Sequence, residues 1–223
     1  MPESEAPSAL RARVLAAAAA TPSTTRPRGR AAGGALLAAS VAVGVSVFEG
    51  VGGFAHGAGR PLRITIALAG GWMVVSAVLA WLVLGRGGST LARSPVLVGL
   101  AAVATPFILF AWMHAFNGAY AEPYDAVGYR CLRYTLFISV LPLATFLGLR
   151  RAVEPRHPAV LGAGAGAACA AWAGALIDLW CPLTNTMHVL VGHVAPLVAA
   201  TIVGAAVGRF TLGVRPVRSR SRS

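Results

Sequence analysis

The sequence predicts an all-α fold: a polytopic membrane protein built as a six-transmembrane-helix bundle with both termini cytoplasmic. Three observations predict it. Of the 223 residues, 57% are hydrophobic and only 12% charged, where a soluble domain carries about 25% charge. Six apolar runs of about 20 residues follow one another along the chain. The 19 basic residues, all of them arginine, fall on alternate sides of those runs with a strong bias. The net charge of +12 would by itself suggest a nucleic-acid partner. The apolar content argues against it, because a soluble core of this size has no room for so many apolar side chains. No direct nucleic-acid binding is expected.

The chain opens with a tail, residues 1–31. Ser8 can cap a short helix through Leu10, Val14 and Leu15 into the alanines Ala16–Ala20. Leu10 and Val14 are four apart and share a face. Pro22 ends this helix, and Arg26, Arg28 and Arg30 form a basic linker. One reading makes the tail a topology signal held to anionic lipid headgroups. The sharper one makes Leu10, Val14 and Leu15 a partner-binding face for a groove on a cytoplasmic protein.

The transmembrane domain is expected at 32–208, with spans near 32–54, 64–84, 96–116, 132–149, 158–180 and 188–208. The first run is not a signal peptide, since it begins after about 31 residues and shows no short apolar region with a cleavage site. The runs do not alternate polar and apolar positions as a barrel would. Pro106, Pro142 and Pro196 lie inside spans, where proline is tolerated. Gly162, Gly164 and Gly166 give span five a small face, and Gly204 and Gly208 repeat the spacing in span six. The closing segment, 209–223, reads as a basic, disordered cytoplasmic tail.

Fifteen arginines fall in the leading tail, the loops after spans two and four and the closing tail. Four, Arg60, Arg63, Arg130 and Arg133, fall opposite. The positive-inside rule then places both termini inside, in the cytoplasm. Cys131, opening span four, and Cys181, ending span five, come to the outer face, where disulfides persist. A bond between them would close a ring of about 50 residues; unrelated small residues near helix ends are the bland alternative. Cys169 lies mid-span as a packing residue. His56, His114, His188, Asp178, Glu122 and Asp125 gather near the same level. Thiolate, imidazole and carboxylate together suit soft metals, with Asp178 and His188 the possible supporting ligands. No tight metal motif is present, and no cofactor is expected. Glu49, Asp178 and His193 are polar groups near outer span ends, where water reaches.

These residues resemble the NrsF-type membrane anti-sigma factor family. The carriers are Cys131 opening span four, Arg150-Arg151 closing it and the Gly-rich stretch 161–174. Cys181-Pro182, His188 and Gly204–Arg209 complete them. The first half matches in layout, a short basic tail and three spans. The resemblance implies a tail that holds an extracytoplasmic-function sigma factor at the membrane. It also implies redox or metal sensing at the paired outer cysteines, here Cys131 and Cys181, with release of the partner under stress. The alternative is a small transporter or accessory membrane subunit, suggested by the span prolines, Glu49 and Asp178. The two halves show no internal repeat that would support it. An enzyme is not expected: there is no His-Glu-x-x-His helix, no complete Gly-x-Ser-x-Gly and no Cys-x-x-Cys.

Overall fold

In a computed structural model of the chain, residues 25–53, 59–84, 94–150 and 157–212, with residue 12, are described. Two compact units divide it, Met1–Leu36 and Leu37–Ser223. All regular structure among the described residues is helical. In chain order, the helices are α1 (Thr25–Gly50), α2 (Leu62–Leu84), α3 (Pro95–His114), α4 (Tyr129–Arg150), α5 (Pro158–Trp180), α6 (Thr186–Val189) and α7 (Ala195–Leu212). A π-helical turn, Leu190–Val194, joins α6 to α7, so Thr186–Leu212 runs as one rod.

Among the described residues, five helices are long and apolar enough to cross a membrane, where the sequence predicts six. The difference lies in the first run. The sequence reading carries it to Phe54, but α1 stops at Gly50 and the chain turns through Gly52 and Gly53, both at positive φ. Its described apolar stretch is Ala38–Gly50. The other five agree with their runs to within a few residues. They mark the chain as a membrane protein. Their outward side chains are large and apolar, among them Phe107, Ile108, Phe137, Ile202 and Phe210. In water such a surface would be an aggregation hazard; against lipid it is what a span requires.

α5 is the central helix. Of its most apolar window 72% is buried, against 33–39% in the other four spans, and its composition explains why. Gly162, Gly164, Gly166 and Gly174, with eight alanines between and beside them, leave almost no side-chain bulk, so neighbouring helices close in on its backbone. A Cβ on Gly162 would strike the Gly204 carbonyl and one on Gly166 the Ala200 carbonyl, while one on Gly208 would meet the Pro158 carbonyl at 2.6 Å. The α5–α7 seam is therefore backbone on backbone. Gly164 turns elsewhere, toward Val83 and Val98, and Gly174 lies under the Trp72 ring. Ser76 donates to the Ala168 carbonyl at 2.9 Å, tying α2 to the same axis. Leu68, Trp72, Leu109, Met113, Ala171 and Leu197 fill the core around it.

Candidate functional site

At one end of the bundle the chain concentrates its polar chemistry. α5 ends at Trp180 because Pro182 cannot continue it. Cys181 is the C-cap, its N–H donating to the Ile177 carbonyl at 2.8 Å. Asn185 then starts α6, its side-chain oxygen accepting from the His188 N–H at 2.9 Å. That cap sets His188 one turn into the helix. On the facing element, Gly128 at φ 93 enters α4, and a Cβ there would meet the Gly192 nitrogen and the His188 carbonyl, each at 2.8 Å. Only glycine allows this approach, and it brings Cys131, in the first turn of α4, against α6 and the π turn.

The result is one imidazole between two thiols. His188 Nε2 lies 3.0 Å from Cys181 Sγ and 3.5 Å from Cys131 Sγ, and Nδ1 lies 2.8 Å from the Ala126 carbonyl oxygen. A carbonyl only accepts, so Nδ1 carries the proton. In the neutral ring Nε2 is then an acceptor with one lone pair, and the nearer S–H, that of Cys181, is best placed to donate to it. Both cysteines are free and buried. Burial pushes the Cys181 thiol well above its ordinary value, with His188 pulling more weakly the other way. Cys169 sits apart, packed among Leu82, Val83 and Val98.

Around this core the polar groups are matched. The Arg60 guanidinium reaches across to Asp178, pairing with the carboxylate at 3.3 Å and also donating to the Asp178 carbonyl and to Thr65 Oγ1. Both side chains of that pair are fully buried. Glu122 accepts from the Thr184 N–H at 2.6 Å, the Thr184 hydroxyl at 2.7 Å and the Asn185 amide at 3.2 Å. The Tyr120 hydroxyl donates to the Pro182 carbonyl, and burial raises its pKa. Arg130 lies over the Trp180 ring at 4.9 Å and the Tyr134 ring at 5.8 Å. An open cleft lined by Glu122, Tyr124, Asp125, Ala126, Asn185 and Met187 borders this end.

Of the residues singled out from the sequence, Cys131, Cys181 and His188 come together. Asp178 does not join them; its carboxylate is taken by Arg60, and it is buried where the sequence reading left it near water. Glu122 and Asp125 are engaged with Asn185, and His114 stacks on Phe110. Glu49 is exposed at the end of α1. Leu10, Val14, Leu15 and His56 lie outside the described residues. His193 and Arg60 were not picked out as site residues. His193 is fully buried, and neither of its ring nitrogens has a partner among the described residues. Cys131, Cys181, His188 and His193 each offer a ligand atom, and those four atoms lie within 4.8 Å of one another.

A family model described as NrsF, negative regulator of sigma F, matches residues 15–213. The chain belongs to the NrsF family. The match takes in the first three helices as well as the second half of the chain, where the sequence resemblance is sharpest. No individual curated protein and no solved structure matches the chain. NrsF membership implies negative regulation of a sigma factor, makes a sigma factor the implied partner, and suggests a non-enzymatic role.

Proposed function

We propose that this NrsF protein is a membrane-bound anti-sigma factor. Its leading cytoplasmic tail, through Leu10, Val14 and Leu15, sequesters an extracytoplasmic-function sigma factor. Stress chemistry at Cys131 and Cys181, on the outer face of a bacterial inner membrane, releases it. The observation that carries this reading is the pair of free thiols on α4 and α5, both in contact with His188 Nε2. Any event that joins or crosslinks the two sulfurs shifts the start of α4 against the end of α5. A shift of that kind can bias a two-state bundle, provided the signal favours one packing over the other.

The test is co-purification of the full chain with each extracytoplasmic-function sigma factor of its host, tagged in turn. One of them is expected to be retained by the wild type and lost when Leu10, Val14 and Leu15 are replaced together by Ser. A thiol oxidant should release it from the wild type and not from Cys131→Ser/Cys181→Ser. Retention that is indifferent to oxidant would sink the sensing half. Failure to retain any sigma factor would sink the whole reading.

A further inference from the structure

We propose that Cys131, Cys181, His188 and His193 form a closed four-coordinate site for a thiophilic divalent cation of the zinc or cadmium type, with His193 as its fourth ligand. The proposal deepens the sensing reading and rests on it only for what ion capture does to the sigma factor.

Four observations meet here. The four ligand atoms lie within 4.8 Å of one another. A tetrahedral ion with bonds of about 2.0–2.3 Å needs them roughly 3.3–3.8 Å apart; of the two sulfur contacts of His188, the one at 3.5 Å falls in that range and the one at 3.0 Å lies just short of it. Next, His188 is oriented as a metal-ligating histidine is. Its Nδ1–H is held by the Ala126 carbonyl at 2.8 Å, which fixes the tautomer and turns the Nε2 lone pair to the sulfurs. Third, His193 is fully buried with both nitrogens unpartnered, its ring centroid 5.5 Å from that of His188. A buried imidazole without a partner is costly, and an ion between it and the thiols would take the lone pair of one of its two nitrogens. Last, the charge closes: two thiolates and two neutral imidazoles around a divalent cation are neutral, the state that burial favours.

Local backbone geometry makes the fourth ligand possible. His188 and His193 are five residues apart, which in an α-helix would set them roughly 140° apart around the axis. The wider turn Leu190–Val194 brings them to the same face. Such π turns are frequent at functional sites. No carboxylate is in the cluster, which disfavours magnesium, calcium and manganese. Four protein ligands leave no open position, so the site holds an ion rather than activating water on it. Glu122 and Asp125, on the rim of the adjoining cleft, give an arriving cation an acidic approach. On binding, both S–H protons leave to solvent and both sulfurs and both imidazole nitrogens bond the ion, with no change in oxidation state.

The experiment uses the reduced full-length protein in detergent, without any sigma factor, titrated with Co2+ as the optical probe and then with Zn2+ or Cd2+. One Co2+ per chain is expected, with the intense d–d absorption of a tetrahedral site, thiolate-to-cobalt charge transfer and release of two protons per ion. X-ray absorption of the zinc form should count two sulfurs and two nitrogens. His193→Gln, chosen to keep a polar side chain of similar size, should weaken binding at least about tenfold and alter the d–d pattern. Cys169→Ser should leave both unchanged. The proposal is overturned by an absence of tetrahedral cobalt, by any other first shell, or by unchanged spectrum and affinity in a folded His193→Gln protein. Sigma-factor retention on the same preparation separates the two readings. Ion binding without release removes the link to sensing and leaves the site; oxidant release without ion binding removes the site and leaves the proposed function.

Discussion

The two ends of α5 are built on opposite principles. Toward its start, Gly162, Gly166, Gly204 and Gly208 bring α5 and α7 together backbone to backbone. None of the four glycines titrates, and each close contact is between groups that can adopt only one arrangement. At its finish, α5 meets α4, α6 and the π turn through Cys181, Cys131, His188 and His193, with Arg60 and Asp178 alongside. Here polar groups are buried at high density, and His193 has a valence unspent. The first end can hold the helices and do nothing else. The second can change its bonding and, since both ends share α5 and the rod continuing into α7, can pull on the first. Rigidity and responsiveness are thus divided along one pair of helices.

The largest expected effect tests the polar end. Arg60→Gln leaves the Asp178 carboxylate buried without its cation, which for a fully buried pair costs about 3–5 kcal/mol. A sharp fall in the melting temperature of the detergent-solubilised protein is expected. Arg60→Met/Asp178→Leu should recover much of it, since an apolar pair of similar volume is often neutral or better. If the double variant is as unstable as the single one, the ion pair is doing more than cancelling its own desolvation.

The seam should answer differently. Gly204→Ala places a Cβ against the Gly162 carbonyl, a backbone group that no rotamer change can move aside. Overpacking of this kind costs about 1–3 kcal/mol, and the thiols should remain as poorly reactive as in the wild type. Gly192→Ala is the matched change at the polar end. Its Cβ would lie 3.1 Å from the Gly128 carbonyl oxygen and 3.2 Å from Cys131 Cβ, so a smaller loss of about 1 kcal/mol is expected, with a clear rise in Cys131 labelling. Equal labelling in the two variants would mean that the two ends are not separable.

Sequence reasoning reads these regions unequally, for a physical reason. The five long helices are visible as apolar runs because lipid demands about 20 apolar residues wherever a helix crosses. The glycine seam is visible too, as a spacing, although only the structure shows Gly164 facing away from it toward Val83 and Val98. Cys131, Cys181 and His188 could be grouped by depth alone, since each lies at the same end of a span. His193 could not. A helix assumed to be α throughout turns it off the face of His188, and no local signal marks the π turn, which depends on α4 packing against it through Gly128 and Gly192. Asp178 was misplaced for a related reason: its partner Arg60 is 118 residues away in sequence, and an arginine in an outer loop looks like a topology charge until the fold buries it. The first run was overextended because hydropathy alone does not see Gly52 and Gly53 turning the chain.

The smallest effect concerns the charge state of the polar end itself. Burial favours the neutral thiol at Cys181 and outweighs the opposing pull of His188, so its pKa stands well above the ordinary 9.0. Only the thiolate is alkylated. The rate of reaction with a small permeant reagent should therefore be low at neutral pH and rise with a midpoint above 9.0. The measurement is a pH–rate profile on Cys131→Ser/Cys169→Ser, which leaves Cys181 as the remaining thiol. Adding His188→Phe removes a contribution that lowers the value, so the midpoint should move further up and the rate at neutral pH should fall. A midpoint below 9.0 would mean that His188 outweighs burial and holds a thiolate–imidazolium pair, so that the polar end is charged at rest. In that case the contrast between the two ends of α5 would be one of charge as well as of packing. A bound divalent cation would then displace one proton from the imidazolium and whatever proton Cys131 still carried, rather than one from each thiol.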